Sequence, residues 1–472
     1  MSDFDAVVVG AGPNGLSAAA TLARTGRKVL VVERAETIGG GTRTEELTLP
    51  EFRHDVCSAF HPLAKGSPFF RTLPLAEHGL EWIQPDLPLG HAIAPGRSAL
   101  LARDVATTAA GLGLDGADYH RIVTHWVEQW PRLESHIMGP LARIPDHPLA
   151  LARFGLSAAL PAMTTNRLRF REEEARALFA GCAAHAFLPL THPLTASFGW
   201  MLLLSGHIFG WPIAAGGSQS IATALAGYVR TLGSVIETGT NVTDLAELPS
   251  TPITILDVTP SGLARIAGDR LPAGYLRKAT RYRHGPAAFK VDYAVDRPIP
   301  WADPELARAG TVHIGGTAAD VNTAETATWK GRPAARPFVL VGQQSLFDPS
   351  RAPDGKHTVW AYAHVPNGST DDFSDAITDR IEHFAPGFRE TILAEHTFSP
   401  ADWERRNPNY VGGDISGGAH SGVQLLFRPF PRMNPYATPI EGVYLGSAST
   451  PPGGGTHGMS GHNAAMAALS RT

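Results

Sequence analysis

Near the start of the chain, Gly10-Ala11-Gly12-Pro13-Asn14-Gly15 is the first stretch whose residue types and spacing imply chemistry. An apolar run, 4–10, leads into it and an alanine-rich stretch, 13–24, follows. A second apolar run, 28–33, ends in Glu33, 23 residues after Gly10. The pattern predicts strand, tight turn, helix and strand in that order. In such a unit Gly10 makes the turn, Gly12 lets a diphosphate approach the backbone, and Gly15 lets helix and strand pack closely. The helix N-terminus, opened by Pro13 and Asn14, stabilises the phosphates, and Glu33 accepts hydrogen bonds from a ribose.

The same glycine spacing recurs at Gly111, Gly113 and Gly116, and at Gly453, Gly455 and Gly458. No strand precedes Gly111, so that match reads as a turn, with Asp115 or Asp118 starting the next helix. The match at Gly453 follows a brief strand, 443–445, and opens a small-residue helix from about Gly458. On its own it fits a helix-start turn and an anion site equally well.

The elements that must position these motifs alternate along the chain. Helical patterns fill 104–198, a helix is expected at 218–232, and short strands at 234–237 and 253–257. The β-type runs 287–295, 311–315, 338–343 and 358–364, separated by Pro/Gly-rich turns, predict a mainly antiparallel sheet. Nucleotide-type segments therefore lie at the start, middle and end of the chain.

Composition narrows the function classes. Of 472 residues 43% are hydrophobic and 18% charged, enough for a sizeable core and too apolar for global disorder. A formal net charge of -4, with no basic cluster interleaved with aromatics, excludes a nucleic-acid partner. Two distant cysteines, Cys57 and Cys182, without a CxxC, argue against a disulfide framework, a thiolate zinc site and a redox dithiol. No signal-peptide pattern opens the sequence, so the cytoplasm is the expected location. The apolar run 196–214 is broken by glycines, His207 and Pro212 and reads as buried or cavity-lining structure rather than a spanning helix.

Three further segments carry a family resemblance. Glu33-Arg34 through Gly39-Gly40-Gly41-Thr42-Arg43 resembles the second glycine motif and trailing arginine of flavoproteins with the glutathione-reductase-type FAD fold. YLGSASTPPGGGTHGMSG, near the end, is similar to the segment passing under the flavin in the phytoene desaturase and amine oxidase superfamily. GWPIAAGGSQSIATALAGYVRTLGSVIETGTNVTDL resembles that superfamily's return to the FAD domain, where Val242 would meet the adenine side through its backbone. Gly446-Ser447-Ala448-Ser449 lacks the acid that many such flavoproteins place after the last strand, which favours the phytoene-desaturase-like branch.

The resemblance implies an α/β fold: a discontinuous, Rossmann-like FAD-binding domain plus a mixed α+β substrate domain with a helical insertion. Its pieces would be 1–95, 216–284 and 436–472 for FAD, and 96–215 (helical) and 285–435 (sheet) for substrate. It implies FAD bound by Gly10, Gly12, Pro13, Asn14, Gly15, Glu33, Arg34, Gly40, Gly41, Arg43, Val242, Gly446, Ser447, Gly454, Gly455, Gly458 and Met459, with no metal; since no cysteine follows Cys182, the flavin is expected to be held non-covalently, with histidyl attachment left open. Free N–H groups at the final helix start, that of Met459 among them, would stabilise negative charge at the flavin N1 and C2 carbonyl, and His457 would add a proton donor.

Candidates on the substrate side are Lys290, placed like an amine-oxidase lysine, His61, and Asp414 with His420 as an acid/base pair. The plainer readings are a solvated strand lysine for Lys290 and a core or backbone-satisfied residue for His61 and His457. The implied reaction is hydride abstraction from an apolar or mixed organic substrate, giving C=C or C=N, with oxygen or a quinone as electron acceptor. An amine oxidase, a redox-neutral isomerase and a non-catalytic FAD-binding protein stay open. An apolar substrate is compatible with peripheral membrane contact, although no basic amphipathic helix announces one.

Overall fold

The structure is a computed structural model that describes residues 3–140 and 143–471. Four buried residues, Ala6–Val9, form the first strand, and their uninterrupted apolar sequence reflects burial on both faces of a parallel sheet. Five parallel strands make that sheet, in the order Val443–Leu445, Ile253–Leu256, Ala6–Val9, Val29–Val32, Val235–Glu237. The start, the middle and the end of the chain thus meet in one layer, at whose centre the Gly10 turn emerges.

Helix Pro13–Ala23 begins with proline at its first turn and packs between helices Gln219–Thr231 and Met459–Leu469. The approach is closer than side chains allow. A Cβ on Gly15 would overlap the Gly10 carbonyl oxygen, and one on Gly461 would overlap the Asn14 carbonyl oxygen. Gly10 itself adopts φ +105°, a left-handed conformation suited to glycine.

A second sheet has seven strands, ordered Ile392–Phe398, Ala287–Val295, His357–Val365, Val339–Gly342, Ala309–Ile314, Leu87–Ala94, Arg97–Leu101. Its pairs are antiparallel except Leu87–Ala94 with Ala309–Ile314, which run parallel. Strand Leu87–Ala94 therefore belongs to this sheet, although it falls inside the 1–95 piece expected for the dinucleotide side. Helices Gly116–Ile137, Glu173–Ala184 and Thr195–Phe209 share a large apolar cluster with one face of the sheet.

The Gly111–Gly116 match is a short 3-10 turn between helices, Gly113–Asp115. Asp115 does not cap the following helix through its side chain. Its carboxylate instead accepts the N–H groups of Arg171 and Glu172, tying two helical segments together.

Because Gly461 touches backbone, Gly461→Ala is expected to push the last helix off the first and to cost about 1–3 kcal/mol. Thermal unfolding should show a Tm several degrees lower, with the folded circular dichroism retained. An unchanged Tm would mean that the two helices separate without strain.

Candidate active site

A single cavity of about 830 Å³ joins the two sheets. At one end Gly12, Pro13, Asn14, Gly40 and Gly41 line it. At the other the lining is Phe187, Phe198, Met201, Leu202, Trp211 and Trp360, contributed by helix Thr195–Phe209, by the seven-stranded sheet and by the loops carrying Phe187 and Trp211.

The glycine end suits a dinucleotide. Amides of the first helical turn have no intrahelical partners, and the helix dipole favours anions there. The Asn14 Oδ1 atom is buried with no partner among the described residues. A Cβ on Gly40 would come within 3.1 Å of the Gly12 Cα, so the two glycine turns form a cradle that side chains would fill. Glu33 lies at the end of its strand as expected, accepting the Ala11 N–H at 2.8 Å and the Ala35 N–H at 2.9 Å. Arg43 stands 3.5 Å from Glu33 and donates to the Thr37 carbonyl at 2.6 Å, which fixes the second glycine turn. Arg34 points elsewhere: its guanidinium donates to the Arg405 carbonyl of helix Pro400–Arg406. Val242 is buried in the apolar cluster beneath the parallel sheet.

The most informative residue here, Asp257, was missed in the sequence. It follows strand Ile253–Leu256 much as Glu33 follows Val29–Val32, and that parallel was the available signal. Its Oδ2 accepts the Gly15 N–H at 3.1 Å beneath the glycine turn. Burial and the charge of Glu33 raise its carboxyl to about 7, the Gly15 N–H only partly offsetting them.

At the C-terminal turn, Ser447, Gly454, Gly455 and His457 line the cavity. Gly446 and Gly458 act in packing: Gly446 fits against Ile255 and Gly461, and Gly458 against Ser17 and Phe70. The Met459 N–H is not free for a ligand carbonyl, because it donates to His457 Nδ1 at 3.0 Å. His457 is thereby a cap for its own helix, and burial lowers it to about 4, so it stays neutral rather than serving as a ready proton donor.

Beside this turn lies Arg428, a second residue the sequence gave no sign of among prolines and aromatics. It is 1% exposed and donates to the carbonyls of Gly417 and Gly418. Its Nε and Nη1 have no partner among the described residues, and it lines the cavity next to Gly453. An unpaired buried cation is costly, which suits this one to a negatively charged group in the cavity.

The other candidates separate. Lys290 lines the cavity but pairs with Asp292, which also faces His54 at 3.5 Å. Burial lowers Lys290 while Asp292 offsets the shift; in Asp292 burial is outweighed by Lys290 and His54, leaving an ion pair. It is not a solvated strand lysine. His61 bonds Ser218 Oγ at 2.8 Å and sits 3.4 Å from Ser58 Oγ, and burial lowers it to about 4. Asp414 and His420 do not form an acid/base pair. Asp414 accepts from the backbone of Gly285, Ser416 and Gly418, and these bonds with His284 outweigh burial and hold it at about 2. His420 lies against the Ala186 carbonyl at 3.2 Å and the ring of Phe198, and burial next to Arg428 lowers it to about 3.

Comparison with known proteins agrees with this construction. Residues 8–73 match the NAD(P)-binding Rossmann-like domain family. The chain is 28% identical to the pyridine nucleotide-disulfide oxidoreductase domain-containing protein 2 of Rattus norvegicus, over 98% of this chain and 93% of that one. It is 26% identical to a phytoene dehydrogenase of Streptomyces griseus, over 94% and 91% respectively. A putrescine oxidase variant shares the fold with a TM-score of 0.62 at 16% identity, covering 99% of both chains. The chain is thus an oxidoreductase built on a Rossmann-like dinucleotide-binding domain, homologous to phytoene dehydrogenases and with the fold of an amine oxidase.

Two outcomes test the site. Folded Asp257 keeps its proton to about 7 whereas its ordinary value is 3.8, so the unfolded chain binds fewer protons between those values and stability falls as pH rises through that window. Asp257→Asn should flatten that part of the apoprotein's stability–pH curve, and above pH 7 should tighten dinucleotide binding on the order of tenfold, about 1.4 kcal/mol. Equal pH slopes for wild type and variant would refute the assignment. Separately, Lys290→Met strands a buried carboxylate and should cost about 3–5 kcal/mol in urea unfolding, most of it recovered by adding Asp292→Leu.

Proposed function

We propose that this oxidoreductase holds FAD non-covalently and oxidises an apolar or mixed organic substrate, forming a C=C bond. The observation that carries the proposal is the continuity of the cavity, which runs from the glycine cradle to a chamber walled by aromatic and aliphatic side chains. Bound there, FAD would supply the two-electron acceptor for hydride removal.

The chain's own residues do the rest. Gly12, Asn14, Gly40 and Gly41 seat the diphosphate, with Glu33 and Arg43 shaping the ribose side. Phe187, Phe198, Met201, Leu202 and Trp360 exclude water and offer dispersion contacts rather than charge to the substrate. Arg428 brings positive charge beside the C-terminal glycine turn, where it would stabilise negative charge developing on a bound cofactor. Cys57 lines the cavity, and burial pushes its thiol up to about 11, which disfavours the thiolate that a covalent flavin linkage requires. An amine substrate, giving C=N, is the second reading, supported by the amine-oxidase fold. The pairing of Lys290 with Asp292 weakens it, because that lysine is committed to a structural ion pair.

Electrons are expected to leave to oxygen or a quinone. Among the described residues there is a single parallel five-stranded sheet with one glycine cradle, and the second sheet offers no strand–turn–helix phosphate site. The purified protein should be yellow, and acid precipitation should release all of its flavin. Anaerobic mixing with NADH or NADPH should leave the flavin absorbance unchanged over seconds, whereas an apolar alkene-forming substrate should bleach it. Rapid bleaching by either nicotinamide would sink the proposal and move the protein to nicotinamide-driven reductases.

A further inference from the structure

Three histidines form a line that ends in the cavity. His91 and His313 are partners in register on the parallel strands Leu87–Ala94 and Ala309–Ile314. Helix Glu173–Ala184 lies over them at Gly181, where a Cβ would stand 2.4 Å from His91 Nδ1 and 2.6 Å from His313 Nδ1. Both Nδ1 atoms therefore converge on one point, and neither has a hydrogen-bond partner among the described residues. One turn further on, His185 closes the helix, and its Nε2 lies 3.1 Å from His313 Nε2. His185 is part-exposed and lines the chamber, with Trp211 edge-on to it at 6.1 Å. Its Nδ1 is not among the enclosed nitrogens, unlike those of His91 and His313.

The far end of the line decides where the proton sits on every ring. His91 Nε2 is 2.9 Å from the Gly316 carbonyl, which only accepts, so this Nε2 carries the proton and His91 Nδ1 is bare. A bare His313 Nδ1 would aim a second lone pair at the same point. His313 Nδ1 therefore carries its proton, and its Nε2 is bare. His185 Nε2 must then donate to His313 Nε2, which leaves His185 Nδ1 as an unprotonated acceptor. Burial keeps the rings neutral. It lowers His91 to about 4 and His185 to about 3, and with the neighbouring histidines it holds His313 well below the ordinary range.

We infer that His185 Nδ1 accepts a hydrogen bond from a hydroxyl group of the substrate, with His91 and His313 as positioning residues that hold it in the accepting tautomer. This rests on the cavity being the substrate chamber, as proposed above, and narrows the substrate to an otherwise apolar molecule that carries an alcohol. A ketone or an ether would bring a second lone pair and no donor. An ammonium group would donate, but the acid lining the cavity, Asp257, lies beneath the glycine turn and leaves the chamber without a carboxylate to offset its desolvation. Tyr362, which flanks Leu340 on the side opposite His313, also lines the chamber and is the competing polar contact.

Two measurements on the full chain as purified test this without turnover. In nitrogen-15 spectra of histidine-labelled protein, the signals lost in His185→Phe should show a bare Nδ1 and a protonated Nε2. His91→Phe, which removes the ring that sets the direction, should turn them into a tautomer mixture. Calorimetry should then show that decan-1-ol binds more tightly than decyl methyl ether or decan-2-one. His185→Phe should weaken the alcohol roughly tenfold and leave the ether and ketone unchanged. His185→Asn, whose amide oxygen replaces Nδ1 as an acceptor, should recover part of that loss. A protonated Nδ1 on His185 in the wild type would overturn the inference, as would equal losses for all three ligands or no binding by any of them. An alcohol preference kept in His185→Phe but lost in Tyr362→Phe would overturn it too, moving the contact to Tyr362. Failure of the desaturation reading alone would leave both the tautomer and the alcohol preference in place.

Discussion

Backbone against backbone is the constraint on which the rest of this molecule depends. The first helix lies so close to the turn that begins it, and to the last helix, that Gly15 and Gly461 each face a carbonyl oxygen where a Cβ would stand. That contact pulls the end of the chain onto its beginning and sets the C-terminal glycine turn beside the N-terminal one. Both turns then line the same cavity. If the helices were a side chain further apart, the diphosphate cradle and the deep end of the cavity would no longer share one axis.

Buried charged groups surround the cavity, and the structure holds them in fixed pairs. Asp55 meets Arg351 at 2.7 Å and accepts the Ser218 N–H at 2.8 Å, Lys290 meets Asp292, and Asp414 gathers three backbone amides. Such pairs add little net stability, since desolvation cancels much of the Coulomb gain. They do define one arrangement of the loops around the cavity, because any other arrangement leaves a charge unpaired. His61 and His457 belong to the same scaffolding, each held neutral and hydrogen-bonded.

Much of the parallel sheet was legible because its strands are buried on both faces and read as unbroken apolar runs, as in Val29–Val32. Glu33 was legible because strand-end position and residue type coincide. The roles of Asp414 and His420 were not, because their partners are backbone groups of Gly285 and Ala186, far away in sequence and without side-chain chemistry. Met459 failed for a similar reason: whether an N–H is free depends on a histidine rotamer two residues away.

Charge along the cavity follows one logic. At the cradle, where phosphates add negative charge, the nearest buried acid is one whose surroundings already favour its neutral form. Beside the C-terminal glycine turn the buried group is Arg428, two of whose nitrogens have no partner among the described residues. Elsewhere the walls are largely aromatic and aliphatic, and the histidines that line the cavity, His61, His185, His420 and His457, are kept uncharged by burial. A site built to recognise a cationic amine would reverse the last choice, placing an ionised carboxylate at the deep end. Here the ionised carboxylates near the cavity, Asp292 and Asp414, are consumed by Lys290, His54 and backbone amides. The charge left without a partner among the described residues is that of Arg428, and on the function proposed above it would favour an uncharged substrate.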